Sequence, residues 1–141
     1  MGIEYRDAPP APADFARLIE TTGWNAEYGL RPDELAAALA ASAFAVSAFE
    51  GGRAVGCGRV VSDGILHGLI VDVIVDPACQ GRGIGRALME RLVAECRRRG
   101  IRDVQLFSAA GRRGFYERLG FVARPEDAPG MELPRQAEPP R

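Results

Sequence analysis

The 141-residue chain contains no lysine, and all 18 of its basic residues are arginine. A Walker A loop needs a lysine to contact nucleotide phosphates, and a pyridoxal phosphate enzyme needs one to form its Schiff base. The absence of lysine therefore excludes both kinds of site.

Cysteine and histidine are also scarce. The three cysteines, Cys57, Cys79 and Cys96, are odd in number and widely spaced, which fits neither a disulfide framework nor a Cys-x-x-Cys motif. We expect them to be free thiols. His67 is the only histidine, so we expect no histidine-based metal site and predict no bound metal.

Long apolar runs are missing as well. None approaches the roughly 20 residues that span a bilayer, and the N-terminal stretch MGIEYRDAPP lacks a basic flank leading into an apolar segment. The sequence therefore predicts a cytoplasmic protein without a membrane partner. The net charge of −1 argues against nucleic acid as the main partner. Residues 1–70 hold five arginines against nine acidic residues, whereas residues 71–141 hold 13 against ten, so we expect an anion to meet the second half.

Length and composition indicate one compact domain. Apolar residues make up 47% of the chain and charged residues 26%, close to the globular average. We predict a single domain over residues 1–141, with a flexible tail over residues 134–141, where prolines and charges are typical of a frayed end.

The hydrophobic pattern predicts the order β-α-α-β-β-β-α-β-α-β. Helices are predicted in ADFARLIETTG, in RPDELAAALAAS, from Gly83 to Arg99 and in RRGFYERLG. Strands are predicted in IEYRDAPP, in a hairpin turning at GG between AFAVSAFE and RAVGCGRVVSD, in ILHGLIVDVIVDP, in DVQLF and from FV onward. The run Leu69–Val75, broken only by Asp72, is typical of a central strand covered on both faces. An α+β or three-layer mixed sheet follows.

Three glycines crowd together just before the clearest helical pattern. They are Gly81, Gly83 and Gly85, with Arg82 and Arg86 beside them. A helix N-terminus carries unpaired N–H groups and partial positive charge, so this loop is suited to hold a phosphate. The alternative is a tight turn with solvated arginines. A dinucleotide site is disfavoured, because its G-x-G-x-x-G pattern would need glycine where Arg86 stands.

These residues carry a resemblance to a known family. The stretch DVIVDPACQGRGIGRALM resembles motif A of the GNAT superfamily of acyl-CoA-dependent N-acetyltransferases, Gln/Arg-x-x-Gly-x-Gly/Ala after a strand, with Gln80, Gly83 and Gly85 at the matching positions. Downstream, FYERLGF resembles motif B of that family. The resemblance extends to the whole chain and implies a GNAT-like α+β (α/β three-layer) fold, with a mixed, mostly antiparallel central sheet flanked by helices.

The resemblance also implies acetyl-CoA as the co-substrate. In the family the strand before the loop is splayed, its backbone bonds the pantetheine arm and the acetyl carbonyl, and the loop binds the pyrophosphate. The Val75 N–H would polarise the carbonyl. The implied binding residues are Val73, Ile74, Val75, Gln80, Gly81, Arg82, Gly83, Ile84, Gly85 and Arg86.

Two residues are candidates for the proton transfers that amine attack on a thioester requires. Tyr116 matches the tyrosine with which many GNAT enzymes protonate the departing thiolate; the alternative is simple packing with Phe115 and Phe121. Asp72 interrupts an apolar strand and is the candidate base, with fixing of the neighbouring backbone or attraction of the cationic amine as alternatives. His67 is a weaker candidate for the base.

The acceptor side is less defined. Trp24 and Tyr28, with Glu27 between them, either form an aromatic wall for an amine or simply pack. No candidate base lies near Cys79 in sequence, so a covalent acyl-cysteine route is disfavoured. The asparagine that many family members carry after the fifth strand is missing from LFSAAGRRGFY, which puts any acetyl or pantetheine contact from it in doubt.

The C-terminal stretch FYERLGFVARPEDAPGMEL is most similar to a subgroup of short GNAT proteins that includes plastid arylalkylamine (serotonin-type) N-acetyltransferases. The resemblance implies direct acetyl transfer from acetyl-CoA to a primary amine, which we expect to belong to a small molecule. The alternatives are a protein-lysine acetyltransferase and a non-catalytic acyl-CoA sensor. Homodimerisation is common on this fold, although no segment identifies an interface.

Overall fold

The computed structural model describes residues 2–136, which form two compact units that meet in sequence at Leu106 and Phe107. Five strands form one sheet in the order β1-β2-β3-β4-β5, antiparallel except for the parallel pair β4 and β5. The strands are β1 (Glu4–Arg6), β2 (Phe44–Glu50), β3 (Arg53–Ser62), β4 (His67–Val75) and β5 (Asp103–Gln105). The helices are α1 (Pro12–Thr22), α2 (Trp24–Tyr28), α3 (Pro32–Ala40), α4 (Ile84–Arg99) and α5 (Arg113–Arg118).

Helix α4 packs against one face of the sheet. Its buried residues include the stripe predicted from the sequence, Ile84, Leu88, Leu92 and Cys96. The close approach depends on glycine in β3, because a Cβ at Gly58 would lie 2.7 Å from Leu92 Cδ1. The helix ends at Gly100, whose φ of +69° suits a residue without a side chain.

Helices α1 and α3 cover the opposite face. Leu18 of α1 and Leu39 of α3 share one core with Cys57 of β3 and Ile74 of β4. Burial raises the pKa of the Cys57 thiol to about 12. With α4 on the other face, the first unit has three layers, and the predicted fold class is confirmed.

The β2–β3 hairpin is also confirmed. Gly51 and Gly52 form its two-residue turn with φ values of +58° and +80°, and the flanking Glu50 and Arg53 are paired. Two consecutive positive φ angles characterise the type I′ turn, whose twist matches that of antiparallel strands.

One predicted element is corrected and one is added. Within residues 119–136 no strand follows α5, although the sequence predicted one from Phe121 and Val122. Val122 is 88% exposed, and Pro125 and Pro129 remove two backbone donors from the stretch, so it has little to pair with. The segment Trp24–Tyr28, predicted only as a connection, is a short helix between two left-handed glycines.

Four further expectations concern the cysteines, the C-terminal tail, the number of domains and membrane-spanning helices. All three cysteines are buried free thiols, as expected. Residues 134–136 of the predicted tail have no regular structure, and residues 137–141 lie outside the described part of the chain. The single domain over residues 1–141 stays a prediction. No helix within residues 2–136 has the length and apolar character to cross a bilayer.

The contact of Gly58 with α4 leads to a stability prediction. Gly58→Ala places a methyl group against Leu92 and, at 3.3 Å, against Val73 Cγ2, so we expect a loss of about 1–3 kcal/mol in unfolding free energy from overpacking. Gly114→Ala in α5 is the control, because its Cβ would meet only the end of the Arg118 side chain at 3.7 Å. Urea unfolding followed by circular dichroism measures both variants. Equal stability of Gly58→Ala and the wild type would contradict the close approach of α4.

Candidate functional site

The glycine loop opens directly onto the N-terminus of α4. Gly81 and Gly83 have φ values of +79° and +78°, and an added Cβ at either would find no heavy atom within 4 Å. No side chain among residues 2–136 caps the helix at Gly83. The N–H groups of the first turn and the positive end of the helix dipole lie where the sequence predicts an anion site, and the binding of an anion there stays a prediction.

The Asp76 carboxylate fixes the start of this loop through a hydrogen bond and two ion pairs. Asp76 directly follows β4 and accepts a hydrogen bond from the Ala78 N–H at 3.0 Å through Oδ1. Its other oxygen lies 3.5 Å from Arg17 Nη1 and 3.7 Å from Arg53 Nη2. These contacts tie the turn over Pro77–Cys79 to α1 and β3.

Both predicted loop arginines have carboxylate partners. Arg82 donates to both oxygens of Glu50, at 2.6 and 3.2 Å, so this pair lowers the pKa of the Glu50 carboxyl and raises that of the Arg82 guanidinium. Arg86 Nε donates to Glu90 one turn along α4, at 2.9 Å. Ile84 is buried in the core at 1% exposure, so only its backbone can serve the loop.

The strand that leads into the loop has a neighbour on its β5 side along only part of its length. β4 pairs with β5 only at His67, Gly68 and Leu69, and the described chain shows no pairing between them from Ile70 to Val75. One edge of β4 is thus open, in that no strand of the described chain pairs with it there, just before the glycine loop. The splay of the two strands that the family resemblance implies stays a prediction.

The backbone of Val75 faces that open edge. The Asp76 N–H donates to the Val55 carbonyl at 2.8 Å, so Val75 and its β3 partner Gly56 occupy the next, non-hydrogen-bonded position of the antiparallel ladder. The Val75 N–H and carbonyl therefore point away from β3. The carbonyl accepts a hydrogen bond from Gln80 Nε2 at 3.2 Å, which places that predicted residue beside the strand end.

A bulge interrupts β4 at Asp72. The β3–β4 register shifts between Cys57 and Arg59, so that Asp72 and Val73 together lie opposite Gly58. Asp72 has a φ of +53° and is the one non-glycine residue with positive φ among residues 2–136. Aspartate is one of the few residues that tolerate this conformation.

The Asp72 carboxylate forms an ion pair with Arg59 of β3. Arg59 Nε lies 2.7 Å from Asp72 Oδ2, and the two side chains are only 15% and 19% exposed. Arg59 Nη1 also donates to the Ala38 carbonyl at 3.2 Å and to Ser42 Oγ at 3.3 Å. Three roles are open for Asp72: fixing the neighbouring backbone, attracting the amine and accepting its proton. The ion pair with Arg59 is the contact that the first role needs, and proton abstraction stays a prediction.

Tyr116 lies in α5, in the second unit. Its ring packs edge-to-face with Phe115 and Phe121, with centroid distances of 5.1 and 6.2 Å. Partial burial raises the pKa of the Tyr116 phenol above its usual value near 10, against a smaller opposing effect of Arg112. The hydroxyl therefore keeps its proton at neutral pH, as an acid must, and the ring also has the packing role considered as the alternative.

The remaining candidate residues differ in their exposure to solvent. His67 is an exposed residue at the start of β4, with Nδ1 4.0 Å from Asp103 Oδ2. Trp24 and Tyr28 on α2 are 38% and 41% exposed, while Cys79 is buried at 8%. No cluster of three or more potential metal ligands occurs in the part of the chain that the structure describes.

Sequence reasoning missed Arg59 and Glu50. A signal for Arg59 was present, because it interrupts the apolar strand GCGRVV as Asp72 interrupts the next one, and two such charges on neighbouring strands suggest a pair. Glu50 directly precedes the predicted turn glycines, and nothing in its local pattern links it to Arg82, 32 positions later.

Comparison with protein families matches residues 11–121 to the Acetyltransferase (GNAT) family. Serotonin N-acetyltransferase 2, chloroplastic, from Oryza sativa subsp. japonica is 41% identical over 87 residues, which cover 62% of this chain and 44% of that protein. Histone acetyltransferase TAP1 from Glycine max is 36% identical over 130 residues, covering 84% of this chain and 54% of that protein. The chain thus spans about half the length of the curated relatives it matches.

Solved structures share the fold over nearly the whole chain. A probable acetyltransferase of unknown function from methicillin-resistant Staphylococcus aureus superposes with a TM-score of 0.78 at 21% identity, covering 95% of this chain and 100% of that one. An acetyltransferase from Trypanosoma brucei superposes with a TM-score of 0.71 at 29% identity, with the same coverage of 95% and 100%.

The two glycines that flank α4 provide a matched test of the loop. Gly83→Ala and Gly100→Ala each force a side chain into a left-handed conformation with open space around it, so we expect each to cost about 1–2 kcal/mol of stability. Gly83→Ala alone should weaken coenzyme A binding, roughly tenfold, because only Gly83 shapes the anion-facing end of the helix. Thermal unfolding and titration calorimetry measure the two effects. Equal coenzyme A affinity in both variants would remove the loop from the binding site.

Proposed function

Since the chain belongs to the acetyltransferase (GNAT) family, we propose that it transfers an acetyl group from acetyl-CoA directly to a primary amine of a small molecule. The observation that carries the proposal is the uncapped N-terminus of α4, which follows two left-handed glycines and a strand whose last six residues have no partner on the β5 side. This combination offers an anion site and a free strand edge side by side in the chain.

The loop residues bind the donor in this proposal. Backbone N–H groups at the start of α4 hold the pyrophosphate of coenzyme A, and Arg82 and Arg86 supply positive charge beside them. Acetyl-CoA supplies an activated acyl group as a thioester. The Val75 N–H donates to the acetyl oxygen and stabilises the negative charge that develops there as the amine attacks.

Tyr116 acts as the acid in this proposal. Its phenol donates a proton to the departing thiolate, for which a group that stays protonated at neutral pH is suited. The support is the match of FYERLGF to the family motif and the direction of the pKa shift. Asp72 lies within β4, three residues before its end at Val75, and has two competing roles, base and backbone support.

A small amine is the favoured acceptor. The support is the similarity to a relative named serotonin N-acetyltransferase, and the exposed aromatic rings of Trp24 and Tyr28 in the acidic half of the chain, where a cationic amine would be attracted. A protein-lysine acceptor is the second candidate, because the relative named histone acetyltransferase covers 84% of this chain. A cytoplasmic location and a homodimer stay predictions.

An amine panel tests the activity. Purified protein, acetyl-CoA and arylalkylamines, polyamines, amino sugars or a histone-tail peptide are incubated, with release of coenzyme A and product mass as readouts. We expect turnover of a small amine with the peptide at background. Preferred acetylation of the peptide would support the second candidate, and coenzyme A binding without turnover on any amine would indicate a sensor instead of an enzyme.

Removal of the Tyr116 hydroxyl tests the acid. Tyr116→Phe keeps the ring packing, so we expect normal stability but a fall in kcat of roughly 10²-fold, the lower end for loss of a proton donor. The wild-type kcat/KM should decrease as the pH rises through the Tyr116 pKa above 10, because the acid is then deprotonated, and the variant should lack this decrease. Phe115→Leu, which disturbs the same cluster but keeps the hydroxyl, is the control. Full kcat in Tyr116→Phe would exclude the role.

A further inference from the structure

We propose that Arg59 is a positioning residue whose ion pair with Asp72 holds the bulge in β4, and so sets which backbone N–H of that strand faces the acetyl donor. The proposal rests on the proposed function for the identity of the donor. It assigns Asp72 an action through the backbone.

The bulge determines the orientation of everything that follows it in β4. Because strand residues alternate between two directions, the one extra residue at Asp72–Val73 reverses the alternation for the rest of the strand. With the bulge, the Ile74 side chain enters the core at 4% exposure, and the Val75 N–H points to the edge that β5 has left. Without it, the two residues would exchange directions: Ile74 would turn out of the core and the Val75 N–H would turn toward β3.

Several contacts hold the bulge, and Arg59 supplies the charged one. Asp72 adopts a left-handed φ that most residues avoid, so its conformation needs support from its surroundings. The Arg59 guanidinium binds its carboxylate at 2.7 Å, and Cys57 Sγ lies 3.7 Å from its carbonyl. Both partners stand on β3, on either side of Gly58, the residue opposite the bulge.

The other end of the guanidinium reaches α3. Nη1 donates to the Ala38 carbonyl, in the last turn of that helix, and to Ser42 Oγ just beyond it. A positive charge is favourable at a helix C-terminus, where carbonyls are left without partners. Arg59 thus connects three pieces of the first unit: the end of α3, strand β3 and the bulge in β4.

Arg99 provides a matched control in the same unit. Arg99 has an ion pair with Glu95 at 2.9 Å, a hydrogen bond to the Ala43 carbonyl at 3.3 Å and a position over the Phe44 ring. Arg59 has the same kinds of contact, since its guanidinium also lies 6.0 Å from the centroid of the Phe15 ring. Arg99 lies in the last turn of α4, away from the bulge in sequence and in strand pairing. Comparison of Arg59→Gln with Arg99→Gln therefore separates positioning from general stability.

The main experiment measures hydrogen exchange of the Val75 amide by NMR, together with KM for acetyl-CoA and kcat. In the wild type we expect fast exchange at Val75 and slow exchange at Ile74. In Arg59→Gln the Val75 amide should become protected as the strand slips toward regular pairing, and KM should rise at least fivefold with a smaller change in kcat. Arg99→Gln should leave both readouts within twofold of the wild type.

Substitution of Asp72 supplies a rescue test. Glycine adopts a positive φ readily, so Arg59→Gln/Asp72→Gly should recover most of the acetyl-CoA KM that Arg59→Gln loses. Asp72→Ala, which has neither the ion pair nor the conformational freedom, should resemble Arg59→Gln. The pH profile of kcat in Arg59→Gln/Asp72→Gly should keep the acid limb of the wild type, because the carboxylate does not accept the amine proton.

Three results would overturn the proposal. Equal effects of Arg59→Gln and Arg99→Gln would leave Arg59 with a stability role only. Loss of the acid limb in every Asp72 variant, with kcat lost and KM kept, would make Asp72 the base. Unchanged exchange at Val75 in Arg59→Gln would show that the ion pair does not hold the bulge. Because exchange needs no substrate, this last readout decides the proposal even if the wild type proves inactive on all amines, which would contradict only the proposed function.

Discussion

One extra residue in β4 is the constraint on which the rest of the first unit depends. It turns Ile74 into the core shared by α1 and α3 and turns the backbone of Val75 to the opposite edge. The same spot leaves little room for a side chain on the neighbouring strand, because Val73 and Leu92 occupy the space beside Gly58. The core, the packing of α4 against β3 and the open edge of β4 thus all depend on the bulge. A change at the bulge would alter all three.

Charge in this unit is arranged in pairs before any ligand is bound. Arg82 is held by Glu50, Arg86 by Glu90 and Arg59 by Asp72. An arginine held in one place loses little conformational entropy when an anion arrives, but the anion must share it with a carboxylate. The first turn of α4 has no side-chain cap at Gly83, so in the proposed anion site we expect the backbone to contribute more than the arginines.

Local patterns were sufficient to predict most of the fold. The four-residue repeat of Ile84, Leu88, Leu92 and Cys96 marks α4, and two consecutive glycines mark the hairpin turn, because each depends on neighbours in sequence. The glycine loop was readable for the same reason. The strand predicted after α5 was not found, since the apolar pair Phe121–Val122 is too short to outweigh the prolines that follow.

The sequence was sufficient to predict the backbone of the candidate site, which is the strand and the glycine loop after it. It was not sufficient to predict which charged side chains pair there. Asp72 stood out as a charge in an apolar strand, but its partner depends on the register of two strands, and the bulge moves that register by one residue. The Glu50–Arg82 pair likewise joins positions that only the folded sheet brings together.

The ion pairs described above have a chemical consequence of their own. Their cations are guanidinium groups, which stay protonated and are poor nucleophiles at the pH of a cell, whereas a lysine amine is the kind of group that acetyl thioesters modify. In these 141 residues no side chain can compete with an incoming amine as an acetyl acceptor of that type. The arginines that hold the loop and the bulge in place would therefore not be acetylated by the acetyl-CoA that we propose binds beside them.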